Sequence, residues 1–304
     1  MTRRRPTNIA ASVRQRLQNL ARESNRPFQE VLQYFAMERF LYRLSRSAES
    51  GQFVLKGALL LTVWRSPATR PTKDIDFLAR MSNEIAGVVA VMRTICGQDV
   101  EDDGLRFDAD SVTGRAIRED ADYEGIRVVF QAYLGRARVQ MQIDLGFGDV
   151  MTPPPALTEF PTLLEFAAPV LYAYSRETMI AEKFEAMTKL GELNTRMKDF
   201  FDIWLLSQQF TFDGETLRSA IDRTFANRHS VLTVDPVALS DDFAGFPGKQ
   251  QQWEAFLNRS RLMDVPKNLE QVVRHLRTFL QPVVEAAAAG IPFSRTWRTS
   301  GDWS

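Results

Sequence analysis

The tripeptide Asp74-Ile75-Asp76 is where the residue types and their spacing most directly suggest chemistry. In an extended segment, residues i and i+2 point to the same side, so two carboxylates stand a few Å apart. Like charges at that spacing repel unless a cation lies between them. Oxygen ligands of this kind suit Mg²⁺ or Mn²⁺. A half-buried strand that merely exposes two acids gives the same pattern, so the tripeptide needs company. Asp144 is a lone acid in the apolar run Gln142-Ile143-Asp144-Leu145. If that run neighbours residues 73–78, Asp144 becomes a third ligand; otherwise it is a sheet-edge aspartate. Just upstream, Lys56-Gly57-Ala58 lies between a strand-like and a helix-like segment, where backbone N–H groups can meet phosphate.

Two later segments carry polar residues in apolar company. Lys183 has Met179, Ile180 and Met187 at i−4, i−3 and i+4, which sets it on or beside an apolar stripe. Such a lysine either snorkels to water or sits over an anionic ligand. Asp199 and Asp202, at i and i+3, face one way among Phe200, Phe201, Ile203 and Trp204. Arg196 precedes Asp199 by three residues and suits a helix ion pair with it.

These residues need elements to hold them. Helical spacing covers 7–24 (Val13, Leu17, Leu20) and 28–48 (Val31, Leu32, Phe35, Phe40, Leu41, Leu44), with Pro27 in the first turn and Asn25 as a cap. Residues 52–64 read as a short strand, a turn at Lys56-Gly57 and a buried helix. Residues 73–78 read as a strand with Asp74 and Asp76 on one face and Ile75 and Phe77 on the other. A helix is expected over 82–96, then loop and irregular strands through 101–124. Alternation over 124–133 and 136–147, with Gly135 between, predicts a hairpin. Pro153-Pro154-Pro155 marks a boundary. Helices are expected over 175–192, 196–210, 214–226, 250–260 and 267–288, and an irregular tail over 290–304. The fold class is α+β: a mixed sheet with flanking helices over 50–152, behind a helical extension over 1–49. A mainly helical C-terminal domain over 153–304 completes the site.

Composition narrows the chemistry. The chain has 304 residues, 38 basic and 38 acidic, with two histidines and one cysteine. Cys96 cannot form an internal disulfide, and cysteine zinc sites and histidine-based triads are disfavoured. Carboxylates, lysines and arginines must do the work. The zero net charge averages two biased regions. Residues 1–26 carry seven arginines against Glu23, about +6, and 101–124 carry nine acids against three arginines, about −6. The basic end suits a phosphate backbone, or is a solvated helix face. No secretory signal or membrane span is expected, which makes the cytoplasm the default.

Taken in order, these segments resemble the AbiEii/AbiGii abortive-infection nucleotidyltransferase toxins over about residues 50–210. The family pattern is a glycine-containing turn, a spaced R-[ST]-x-D-[IL]-D, an E-K helix and a K-D-x-x-D helix. Here it reads Gly57, then Arg70-Pro71-Thr72-Lys73-Asp74-Ile75-Asp76, then Glu182-Lys183, then Lys198-Asp199-Phe200-Phe201-Asp202. Two departures stand out. Ala58 replaces the serine that usually follows the glycine, and Pro71 separates Arg70 from Thr72.

The resemblance implies a nucleotidyltransferase-like mixed sheet and transfer of an NMP from an NTP to an acceptor hydroxyl. It implies Mg²⁺ or Mn²⁺ on Asp74, Asp76 and Asp144, with Asp144 also a candidate general base. Lys183 would hold the triphosphate, with Lys56, Gly57, Arg70 and Thr72 as further nucleotide contacts. Asp199 would orient Lys183 or the nucleotide, with Asp202 as its substitute. A phosphate on Thr72 would block the NTP electrostatically. The implied biology is a growth-inhibiting toxin of a two-gene toxin–antitoxin pair, acting on RNA, above all the tRNA 3′ end, with an antitoxin encoded next door. Two other readings compete: a metal-dependent nuclease, and a catalytically inactive nucleotide-binding regulator.

Overall fold

The computed structural model describes residues 8–64, 70–120 and 123–304, and only the backbone of 118–120, 123 and 124. Arg3, Arg4 and Arg5 of the basic lead lie outside the described residues. The chain forms two compact units: Met1–Arg65, Pro71–Gly148 and Ala156–Ala173 make the first, and Ser66–Arg70, Asp149–Pro155 and Tyr174–Ser304 the second.

In the first unit α1 (Ile9–Glu23) and α2 (Phe28–Arg46) lead into β1 (Phe53–Lys56), α3 (Leu59–Val63), β2 (Ile75–Ala79) and α4 (Ile85–Cys96). Then come β3 (Leu105–Asp120), β4 (Tyr123–Leu134), β5 (Ala137–Phe147), β6 (Ala156–Glu159) and β7 (Val170–Ala173). The strands form one mixed seven-stranded sheet in the order β3-β4-β5-β2-β1-β7-β6. β2 runs parallel to β5 and β1 parallel to β7, and the other pairs are antiparallel.

Alternation decides which face is core. Ile126, Val128, Phe130, Ala132 and Leu134 of β4 are buried, as are Val139, Met141, Ile143 and Leu145 of β5. On that face the Phe40 ring of α2 packs 5.2 Å from Phe130 and 5.8 Å from Phe107. A Cβ on Gly114 of β3 would meet Val89 and Ile85 of α4, so this helix covers the same side. The intervening residues of β4 and β5 are polar apart from Val129 and Tyr133, and face away from that core.

α2 is buried along most of its length, including Glu38, Arg39 and Arg43. Arg43 donates to both carboxylate oxygens of Asp103, at 2.6 and 3.1 Å, and Arg39 Nε donates to Asp103 Oδ2 at 3.2 Å. The Leu163 N–H donates to Glu38 Oε2 at 2.7 Å. One member of the acidic stretch is therefore an interior ion-pair partner.

Three expectations change. Residues 105–120 are one long strand; a register shift between Asp108 and Thr113 breaks its alternation and hides it from a period-two reading. Asn25 does not cap α2; it has φ +51°, and Pro27 stands directly before the helix. The tail is not irregular, as described next.

The second unit holds α5 (Arg176–Leu190), α6 (Met197–Gln209), β8 (Phe212–Asp213), α7 (Gly214–Asn227), α8 (Asp241–Gly245), α9 (Lys249–Ser260) and α10 (Leu269–Ala288). β9 (Thr296–Arg298) and β10 (Asp302–Trp303) complete it, joining β8 in a small antiparallel sheet. Trp297 is fully buried, its indole N–H donates to Ser207 O at 2.7 Å, and its ring lies 4.8 Å from that of Phe279. Each of these strands is two or three residues long, too short to show a period. α5 is delimited by its own sequence: Ser175 Oγ accepts from the Thr178 N–H at 3.1 Å, and Gly191 ends the helix at φ +48°. Among the described residues no helix is long and apolar enough to cross a membrane.

Candidate active site

In the first unit the sheet register gathers the carboxylates. Asp76 on β2 pairs with Asp144 on β5, and on its other side with Lys56 on β1. Directly paired residues project to the same face, so Lys56, Asp76 and Asp144 form one row. Asp74 stands just before β2, two residues from Asp76. One oxygen from each of Asp74, Asp76 and Asp144 lies within 4.8 Å of the others. Three carboxylate oxygens converging this closely are a donor set suited to a hard divalent cation.

Neighbouring groups hold these acids in place. Thr72 Oγ1 donates to Asp74 Oδ1, and the Thr72 N–H donates to the Tyr34 hydroxyl at 3.1 Å. Burial raises the pKa of that hydroxyl above the usual tyrosine value. Arg127 on β4 grips Asp144 with both arms of its fork, Nε to Oδ1 at 2.8 Å and Nη2 to Oδ2 at 2.7 Å. Gln142 Nε2 adds a contact at 3.2 Å. Asp144 is only 4% exposed, so these donors are its solvation.

Gly57 has to be glycine for two reasons. Its φ is +75°, in the left-handed region, and a Cβ there would run into the Asp76 carboxylate. The glycine turn makes room for an acid. Ala58 then opens the five-residue α3 with no side-chain cap.

The second unit holds the other set. Lys183 on α5 does not snorkel. Its ammonium is buried, 2.9 Å from Asp199 Oδ1 and 2.8 Å from Asp202 Oδ2 on α6. Arg196 Nε reaches Asp199 Oδ2 at 2.6 Å, and Arg70 takes Asp202 in a fork with both contacts at 2.9 Å. Burial drives the Lys183 pKa down, but Asp199 and Asp202 outweigh it and hold it above the usual lysine value. Burial drives Asp199 up, while Lys183 and Arg196 pull it well below the usual carboxylate range. Burial likewise raises Asp202, and Arg70 and Lys183 bring it below its ordinary value. Asp202 is thus as close a partner of Lys183 as Asp199 is.

The residues singled out from the sequence fall into two groups. Lys56, Gly57, Thr72, Asp74, Asp76 and Asp144 come together in the first unit. Arg70, Lys183, Asp199 and Asp202 come together in the second. Arg127 and Tyr34 were missed. Arg127 was within reach, because the tight turn at Gly135 fixes the hairpin register: counting outward from Leu134 opposite Ala137 brings Arg127 opposite Asp144.

Among solved structures, this chain is similar to MenT4, a nucleotidyltransferase toxin from Mycobacterium tuberculosis H37Rv. They share 17% identity over 93% of this chain and 99% of that one, with a TM-score of 0.46. It is also similar to JHP933 from Helicobacter pylori, with 14% identity over 86% of this chain and 93% of that one and a TM-score of 0.45. No curated protein matches. The family model for the nucleotidyl transferase AbiEii toxin of type IV toxin–antitoxin systems matches residues 39–279, which span β1 through most of α10. With that match covering most of its length, the chain belongs to the AbiEii family of nucleotidyltransferase toxins.

Proposed function

We propose that this toxin is a Mg²⁺-dependent nucleotidyltransferase that moves an NMP from an NTP onto an RNA acceptor, the tRNA 3′ end, and thereby inhibits growth. The observation that carries the reading is the convergence of Asp74, Asp76 and Asp144 in a chain of this family. These three residues would hold the cation. When bound, it stabilises charge on the phosphate oxygens during in-line attack. Mn²⁺ fits the same oxygen set.

The chain's own groups have the following roles. Asp144 has a donor on each oxygen, which suits a fixed ligand better than a group that must accept the acceptor's proton. Asp74 receives one hydrogen bond from Thr72 and is the better candidate for that proton. Lys183 is assigned to the triphosphate, held as a fixed point charge by Asp199 and Asp202. Lys56, Thr72, Gly57 and Arg70 are the further nucleotide contacts. The reaction needs NTP and tRNA together, which sets it in the cytoplasm, and a cognate antitoxin from a neighbouring gene would restrain it.

The test uses wild type and Asp74→Ala with each labelled NTP, Mg²⁺ and total RNA. Wild type should label RNA with one preferred NTP, lose this with EDTA, and outpace the variant by a factor of about 10³ or more. Equal labelling by both proteins removes Asp74 from catalysis. RNA shortened without any NTP makes the carboxylates those of a nuclease.

A further inference from the structure

The sheet of the first unit has a polar face that the reaction itself does not use. On β3, β4 and β5 it begins at the carboxylate row and runs toward the Gly135 turn. The row of Lys56, Asp76 and Asp144 continues outward to Arg127 and then Arg115. Next along the strands stand Thr113, Val129 and Gln142, then Asp108, Gln131 and Gln140. The far row is Arg106, Tyr133 and Arg138. Arg127 and Tyr133 are six residues apart on β4, so the track is roughly 20 Å long.

Its chemistry is that of a nucleic-acid surface. Arg106, Arg115, Arg138 and Gln140 are exposed. No carboxylate makes an ion pair with Arg106, Arg115 or Arg138 among the described residues. Arg115 lies directly opposite Arg127, a like-charge cross-strand pair that Asp144, on the Arg127 side, offsets. Arg127 is already committed to Asp144, so Arg115 leaves positive charge beside the carboxylate row. At the other end the Arg106 guanidinium sits 4.5 Å over the Tyr133 ring, and Arg138 Nε donates to Gln131 Oε1 at 2.7 Å. Arginine forks match phosphate oxygens. A guanidinium layered on tyrosine offers a plane to a base, and glutamine amides offer donors and acceptors to base edges.

We propose that this face of β3–β5 docks the single-stranded 3′ end of the RNA acceptor. The terminal hydroxyl lies at the carboxylate row, and the preceding nucleotides run toward Arg106, Tyr133 and Arg138. The inference rests on the RNA reading of the acceptor given above. It adds where the RNA lies and in which direction.

The experiment compares wild type, Arg106→Glu with Arg138→Glu, Tyr133→Leu, and Arg259→Glu on α9 as an exposed control outside the sheet. Thermal melts confirm that each is folded. Binding of a 5′-fluorescein 12-nucleotide RNA ending in CCA is followed by anisotropy at several salt concentrations. NTP-dependent extension of the same RNA gives KM for RNA and for NTP. The double arginine variant should weaken RNA binding and raise KM for RNA about tenfold or more, and reduce the slope of log Kd against log salt by about 1.4. Tyr133→Leu should cost about fivefold or more. KM for NTP and the control should match wild type. If both face variants keep wild-type Kd and KM for RNA while wild type extends it, the docking inference is wrong and the transferase reading stands. If they lose neutralisation by the antitoxin yet keep RNA affinity, the face docks a protein and the inference is overturned. If wild type transfers to no RNA but labels a protein, the acceptor reading fails and this inference falls with it.

Discussion

At the scale of single residues, two positions carry sharp consequences. Gly57 has a left-handed backbone and no room for a methyl group beside Asp76. Gly57→Ala is therefore expected to cost roughly 1–2 kcal/mol and to displace the Asp76 carboxylate. Transfer activity should fall at least about tenfold in protein that still folds. A thermal melt alongside the labelling assay checks this, and full activity would show that Asp76 is free to move. Lys183 is the second position. Removing it as Lys183→Met leaves Asp199 and Asp202 buried with less counter-charge, which costs about 3 kcal/mol or more at pH 7. Both carboxyl pKa values are depressed in the fold, so their contribution is present above the unfolded value and lost as pH falls. The gap between wild type and variant should therefore narrow toward pH 3.5 in urea denaturation. A gap that does not change with pH would assign the loss to packing of the lysine stem. These two sets of residues were named from sequence because their motifs are local. Arg127 and Tyr34 were not, since each reaches the site across strands or from a distant helix.

At the scale of elements, α2 shows how a buried charge can govern stability. Burial pushes the Glu38 carboxyl up to about 7, against the pull of the Leu163 N–H and Arg39. A raised folded-state value stabilises the fold fully below the unfolded value and is lost as pH rises through the folded one. Stability therefore falls between about pH 4.5 and 7. Glu38→Gln keeps a neutral acceptor for the Leu163 N–H and should flatten that fall, with a difference on the order of 3 kcal/mol by pH 8. Parallel pH dependence in both proteins would remove Glu38 as its source. The elements themselves were legible to different degrees. The 124–147 hairpin was read correctly because both strands alternate and Gly135 fixes the turn. The longer helices of the second unit, α5, α6, α7, α9 and α10, were read because their apolar residues recur at helical spacing, whereas the five-residue α8 is too short to show it. β3 was not, since its bulge changes the parity and its acids mimic a solvated loop. β9 and β10 were not, because β9 pairs with a strand about 80 residues earlier and both are only two or three residues long, too short to show a period.

At the scale of the whole molecule, the family match covers residues 39–279, wider than the 50–210 read from the motifs, and the proposed cation site and fold stability pull against each other. Asp74, Asp76 and Asp144 repel one another when no cation is bound. Lys56 shares the row with Asp76, and Arg127 holds Asp144, whereas the Asp74 carboxylate accepts from the neutral Thr72 hydroxyl. Asp74→Asn keeps the shape and still offers Oδ1 to the Thr72 hydroxyl, while removing one negative charge. Without divalent metal the variant should melt no lower than wild type, and about 2 °C higher if relieved repulsion amounts to somewhat under 1 kcal/mol. If the three carboxylates hold Mg²⁺ in the folded state alone, as proposed above, adding it should raise the wild-type melting temperature with increasing concentration. The variant should show little of that rise, and should also fail to arrest growth when induced in cells. The order of the two proteins would thus reverse on adding Mg²⁺. A variant that is less stable than wild type without metal, yet gains as much from Mg²⁺, would mean that Asp74 holds the fold together and does not bind the cation.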